Sequence, residues 1–198
     1  MKRMSLLYAL FVAVLLPLGS AHAAAPAWVI DRDHSNVYFD VRHTYATVRG
    51  QFDDFSGRFL FDPTGKEESS CEIKVKVKSI NTNIRKRDDH LRSGDFFSSE
   101  KYPLMTFKST KITHEGGDRY TIAGRLTVKD VGKDVAIPFT YYGVRENPLN
   151  EKQLVAGFEA RFSIDRLEYH VGDGKYYKLG AVGKDVNVII TLEVLRDK

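Results

Sequence analysis

The chain has 198 residues and a formal net charge of +4. That length amounts to one domain, large enough to bury a core without disulfides. The weak charge balance argues against a nucleic-acid binder, which needs a concentrated basic stripe. The one cysteine, Cys71, excludes an internal disulfide and a Cys-x-x-Cys-His heme attachment.

Residues 1–23 read as a secretory signal: Lys2 and Arg3, an apolar stretch from Leu6 to Leu18, then Ala21-His22-Ala23 before cleavage. The apolar stretch is too short to span a bilayer comfortably. No cysteine adjoins the cleavage point, so a lipid anchor is not expected. Removing the two leader cations leaves residues 24–198 as one domain at +2. The expected compartment is the periplasm, with export to the medium as the alternative. No second long apolar segment follows, so no stable membrane insertion is expected.

After the leader the dominant signal is alternation. Val37, Phe39, Val41 and His43 share one parity, so one face of that strand is buried and the other is wet. A second run covers Val48–Phe52 and Phe55–Phe61, where Gly50 and Gly57 predict bulges or sharp bends. Asp62-Pro63-Thr64-Gly65 predicts a turn. Cys71 to Ile80 predicts a strand with a solvated lysine face, Cys71 sitting inward as a small hydrophobe.

The rhythm breaks between Asn81 and Pro103. Ile84, Leu91, Phe96 and Phe97 do not alternate, which predicts a short helical segment around 84–97 with Thr82 or Asn83 as its cap. Strands resume at Leu104–Thr113, Arg119–Val128 and Val135–Val144, with turns at 115–118, 130–134 and 147–150. Ala156, Phe158, Ala160, Phe162 and Ile164 form an inward set. Val186 to Val194 form the last one, after a glycine-rich loop at 172–183. The fold class is all-β, an antiparallel eight-stranded up-and-down barrel. The runner-up, an immunoglobulin-like sandwich, lacks the cysteine pair and matching tryptophan. A barrel of eight strands holds either side chains or one small ligand.

No zinc-type Cys/His pair, phosphate-cradling loop or Gly-x-Ser-x-Gly is present, so no metal site, cofactor or catalytic residue is assigned. Phe39, Val41, Phe52, Phe55, Phe107, Phe139, Phe158 and Phe162 are the candidate cavity lining, and His43 continues their parity toward the barrel mouth. Small Ala156 and Ala160 among these rings leave room for a channel. Arg87, Asp88, His90 and Leu91 form a candidate cap or head-binding cluster, in which Asp88 pairs with Arg87 or Arg92. His34, His114 and His170 read as solvated or strand-start residues.

These motifs together resemble the YceI-like family of secreted bacterial proteins. The resemblance rests on Trp28-x-x-Asp31-x-x-His34-Ser35, Phe39-x-Val41-x-His43 and Gly50-x-Phe52-x-x-Phe55-x-Gly57. Its most specific stretch runs from Asn81-Thr82 through Arg87-Asp88-x-His90-Leu91 to Asp95-Phe96-Phe97, followed by Tyr102-Pro103. Gly124-x-Leu126-Thr127 and Val182-Gly183-x-Asp185-Val186 close it. Asp130-Val131-Gly132 and Asp165-Arg166 with Tyr169-His170 depart from the usual pattern. The resemblance implies a lipocalin-like barrel that binds a polyisoprenoid or similar lipid, and a homodimer. The resulting expectation is a periplasmic carrier for a long apolar lipid, an isoprenoid or isoprenoid quinone, and not an enzyme. Two alternatives stand beside it: a small hydrolase or isomerase using a cavity histidine with Asp88 or Asp89, and a stress-response interaction protein with a filled core.

Overall fold

A computed structural model describes residues 25–65 and 68–198. The leader expected over residues 1–23 lies outside the described residues. Among the described residues, ten strands form one antiparallel sheet: β1 (Ala27–His43), β2 (Ala46–Phe52), β3 (Phe55–Leu60), β4 (Ser70–Lys76), β5 (Ile80–Asn81), β6 (Leu104–Gly116), β7 (Arg119–Val128), β8 (Val131–Asn147), β9 (Asn150–Asp165) and β10 (Val182–Asp197). Pairing of β10 with β1 closes the sheet on itself. β2 and β3 act as one strand bent at Asp53-Asp54, and β5 is a two-residue bridge to β2. Counted this way, eight strands form the barrel. Closure removes the exposed edges that a sheet this long would otherwise present.

The alternation specifies most of the wall. β9 and β10 pair without a register break from Asp185↔Asp165 to Asp197↔Gln153, so every inward side chain of one strand lies beside one of the other. β7 occupies the predicted span, 119–128. The lysine strand is shorter than expected. It ends at Lys76, and a 3-10 turn over Val77–Ser79 leads into β5.

Gly50 and Gly57 are not bulges, contrary to expectation. Both lie in regular register, opposite Phe39 and Ile73. Gly50 is needed for space: a Cβ there would meet the Phe39 ring at 2.3 Å. The real register shifts lie between β1 and β10, β6 and β7, and β8 and β9, where one strand gains one to three residues on its partner.

The two ends of the barrel differ. At the upper end, Trp28, Phe59, Phe61, Tyr120, Ile137, Phe158 and Val194 form a buried cluster. Phe61 stacks on Phe59 and meets Tyr120, Tyr141 and Phe158 at 5.0–5.9 Å between centroids. Trp28 Nε1 donates to the Phe61 carbonyl, which ties the polar end of a buried indole. At the lower end lie α1 (Arg85–Arg92), the loop that follows it, a 3-10 turn (Arg166–Tyr169) and α2 (Lys175–Lys178). The last two elements fall next to and within the segment expected to be only a glycine-rich loop.

Candidate ligand-binding cavity

Between the upper aromatic layer and the lower cap the barrel is hollow. The cavity measures about 260 Å³. Its wall carries Phe39, Val41, Phe52, Phe55, Phe107, Phe139, Phe158 and Phe162, eight of the residues that alternation placed inward. Ala160, Ile164, Val186, Val188, Ile190 and Leu192 continue the wall from β9 and β10. Cys71 also lines it and is 8% exposed; burial, with help from the charge of Glu72, pushes its thiol pKa up to about 12. Glu159 borders the cavity, its carboxylate held by Arg161 and Tyr142. Such a wall stays dry and favours an apolar guest.

His43 does not reach this space. It is exposed, and the register of β1 on β10 slips between Val41 and His43. The extra residues at that slip belong to β10, whereas β1 stays in register with β2 through His43↔Ala46; His43 is the last residue of β1 and so ends at the rim rather than within the wall.

The cap cluster is also rearranged relative to expectation. Helix α1 is present, but its N-cap is Ile84, with no side-chain cap bond, rather than Thr82 or Asn83. Asp88 pairs with neither Arg87 nor Arg92. It is 6% exposed and accepts from the backbone N–H and the hydroxyl of Thr82, at 2.9 and 2.5 Å. Arg87 donates to the same Thr82, to its hydroxyl and carbonyl oxygens. Arg92 pairs with Asp89 and donates to the carbonyls of Lys78 and Ile80. The charges of α1 thus fasten the helix to β5. His90 lies outside the cavity, bonded to Asp95 and set edge-on to Phe96 and Tyr176. Of the predicted cluster only Leu91 lines the cavity, joined by Phe96 and Phe97 from the following loop. No base–nucleophile pair built from Asp88, Asp89 or His90 faces the hollow.

Arg166 supplies the charge that the sequence reading missed. It follows Ile164 at the inward parity of β9, borders the cavity and is 6% exposed. Its guanidinium donates to the carbonyls of Gly183 (2.8 Å), Val171 (2.6 Å) and Val182 (3.3 Å), and lies over the Phe96 ring. No carboxylate lies within 4 Å of it among the described residues. Burial lowers its pKa, against the opposing pull of Asp165 and Asp173. Lys129 performs a related task from the β7–β8 turn, donating to the Phe96 and His170 carbonyls and so tying the α1 loop to the 166–181 loop.

The remaining histidines are peripheral. His114 stacks on Tyr120 beside its turn, and His170 bonds Asp130. His34 Nδ1 bonds Asp31 at 2.8 Å. Glu193 approaches the same place, so ligand-type atoms of Asp31, His34 and Glu193 lie within 4.8 Å of one another on the outer face of the barrel.

The YceI-like domain model matches residues 28–194, nearly the whole described chain. Protein YceI of Escherichia coli O157:H7 is 34% identical over 98% of both chains. Among solved structures, Burkholderia cenocepacia BcnA superposes with a TM-score of 0.73 at 25% identity, covering 83% of this chain and 98% of that one. A polyisoprenoid binding domain from Saccharophagus degradans, implicated in plant cell wall breakdown, shares the fold with a TM-score of 0.59 at 15% identity, over 87% and 98%. With its closed barrel, its cavity and these matches, the chain belongs to the YceI-like family.

Proposed function

We propose that the protein is a periplasmic carrier that holds the tail of a long apolar lipid, an isoprenoid or isoprenoid quinone, inside the lower half of the barrel. The observation that carries this reading is a closed wall of aromatic and branched side chains around an unfilled space. Each methylene moved from water into such a space contributes about 0.8 kcal/mol. A few isoprene units therefore offset the several kcal/mol lost on immobilising the ligand. The aromatic layer at Phe61 and Phe158 closes the upper end, so the tail's terminus points there. The lipid's polar head lies at the cap, next to Arg166, whose cation borders the wall. His43, exposed on the barrel rim, takes no part. The leader expected over residues 1–23 supports the compartment. Mass spectrometry of an organic extract of the purified, secreted protein tests the reading. A co-purified isoprenoid in near-stoichiometric amount supports it. An extract without lipid, from protein that also takes up no added isoprenoid, overturns it.

A further inference from the structure

The lower end of the barrel carries an exposed apolar patch that the cavity does not use. Tyr45, in the β1–β2 turn, is 89% exposed; Leu179 and Tyr177, at the end of α2, are 69% and 44% exposed. The fold puts these two segments side by side. The Thr44 N–H donates to the Ala181 carbonyl at 3.0 Å, and His43 pairs with Val182 across the sheet. Burying large side chains is favourable, so a cluster of them in water marks a surface that meets something.

The charges around the patch say what it meets. Segments 42–47 and 171–185 contain Arg42, Lys175, Lys178 and Lys184 against the carboxylates of Asp173 and Asp185, the latter 3.9 Å from Lys184. Lys184 is engaged by Asp165. Arg42, Lys175 and Lys178 have no carboxylate within 4 Å among the described residues. Exposed tyrosines with a leucine between cations suit a lipid headgroup layer, where rings and stems sit at the acyl boundary and ammonium groups face phosphates. The patch also adjoins the cavity's cap: α2 leads from Val171, which lines the cavity, to Val182, which lines it too.

We propose that this rim is a docking face for an anionic phospholipid bilayer, with Tyr45, Tyr177 and Leu179 entering the headgroup region and Arg42, Lys175 and Lys178 meeting lipid phosphates. Docked this way, the barrel presents its capped end to the membrane, the end through which a tail enters or leaves; that purpose rests on the carrier reading, whereas the docking itself does not.

The test is vesicle co-sedimentation of the secreted protein, stripped of lipid. Binding to phosphatidylcholine vesicles containing phosphatidylglycerol is expected, with loss at high salt. Binding to phosphatidylcholine alone is expected to be at least tenfold weaker, because the three basic residues then meet no anionic headgroups. The double variant Lys175→Glu, Lys178→Glu is expected to bind at least tenfold more weakly. Tyr45→Ser with Leu179→Ser should also weaken binding, both with an unchanged melting temperature, because these side chains are exposed. No binding to anionic vesicles, or binding that neither double variant reduces, overturns the proposal. So does a dimer in analytical ultracentrifugation that Tyr45→Ser with Leu179→Ser dissociates while vesicle binding persists, since that assigns the patch to a second copy. Isoprenoid in the extract without vesicle binding defeats docking and leaves the carrier standing. Vesicle binding without isoprenoid uptake does the reverse.

Discussion

Phe61 and Phe158 meet edge to face, their ring centroids 5.0 Å apart and their planes at 88°. Phe61 is 1% exposed and packed among aromatic rings on several sides, whereas Phe158 also borders the cavity. The pair marks the boundary between the filled and hollow halves of the barrel. Phe61→Ala should therefore destabilise the fold by about 3–5 kcal/mol, read from the urea midpoint. Phe158→Trp should leave the barrel folded but reduce uptake of an apolar lipid, because the larger ring narrows the closed end of the hollow. Unchanged uptake would place the tail elsewhere.

Arg166 holds three carbonyls from two segments of the lower cap. Arg166→Gln leaves at least one of them unpaired in a buried place, which should destabilise by about 1–3 kcal/mol. The same variant should lose any preference for a prenyl acid over the prenyl alcohol of equal length. Equilibrium binding of both ligands to the wild type and the variant checks this; an unaltered preference would move the head away from Arg166.

Cys71 reports on the cavity without being part of any chemistry. With its thiol pKa pushed up to about 12, it stays protonated near pH 8.5, where an ordinary thiol is half ionised. Native protein should therefore react with a thiol reagent far more slowly than denatured protein. Because Cys71 lines the hollow, a bound tail should slow the reaction further. Labelling as fast as in denaturant would contradict both the burial and the placement.

His34 and Asp31 give a pH signature on the outer wall. The hydrogen bond and charge of Asp31 hold the His34 pKa above the ordinary 6.5. Burial pushes the Asp31 carboxyl up, but bonds from His34 and the Asp33 N–H outweigh it and leave the pKa below 3.8. The His34 contribution to stability is thus complete below pH 6.5 and lost as pH rises through the folded pKa. The Asp31 contribution is complete above pH 3.8 and lost as pH falls through the folded pKa. An NMR titration should place the His34 midpoint above 6.5, and Asp31→Asn should return it toward that value.

The wall of the barrel was legible because a period of two maps directly onto inside and outside, as in Ala156 to Ile164 of β9. The hollow was not, because the same rings could have met across the axis. Asp88 misled because a charged residue in a short helix normally faces water; its burial depends on the Thr82 N–H and hydroxyl, which a pattern of spacing does not reveal. His43 misled because parity does not show where a strand ends: His43 is the last residue of β1 and sits at the rim, outside the hollow. Gly50 was noticed for the wrong reason: it clears space for the Phe39 ring rather than bending the sheet. Arg166 carried a readable signal, a cation at the inward parity just after Ile164, but the strand's end at Asp165 hid it.

The central claim is that a flexible apolar tail lies along the lower barrel axis with its end against the aromatic layer. A prenyl chain carrying a photoactivatable group at its tail terminus tests this most directly, through cross-links mapped by peptide mass spectrometry. Adducts concentrated on Phe59, Cys71, Ile122 and Phe158, residues at the closed end of the hollow, are the predicted result. Adducts confined to exposed residues such as Tyr142 and Leu149, or none above background, would contradict it.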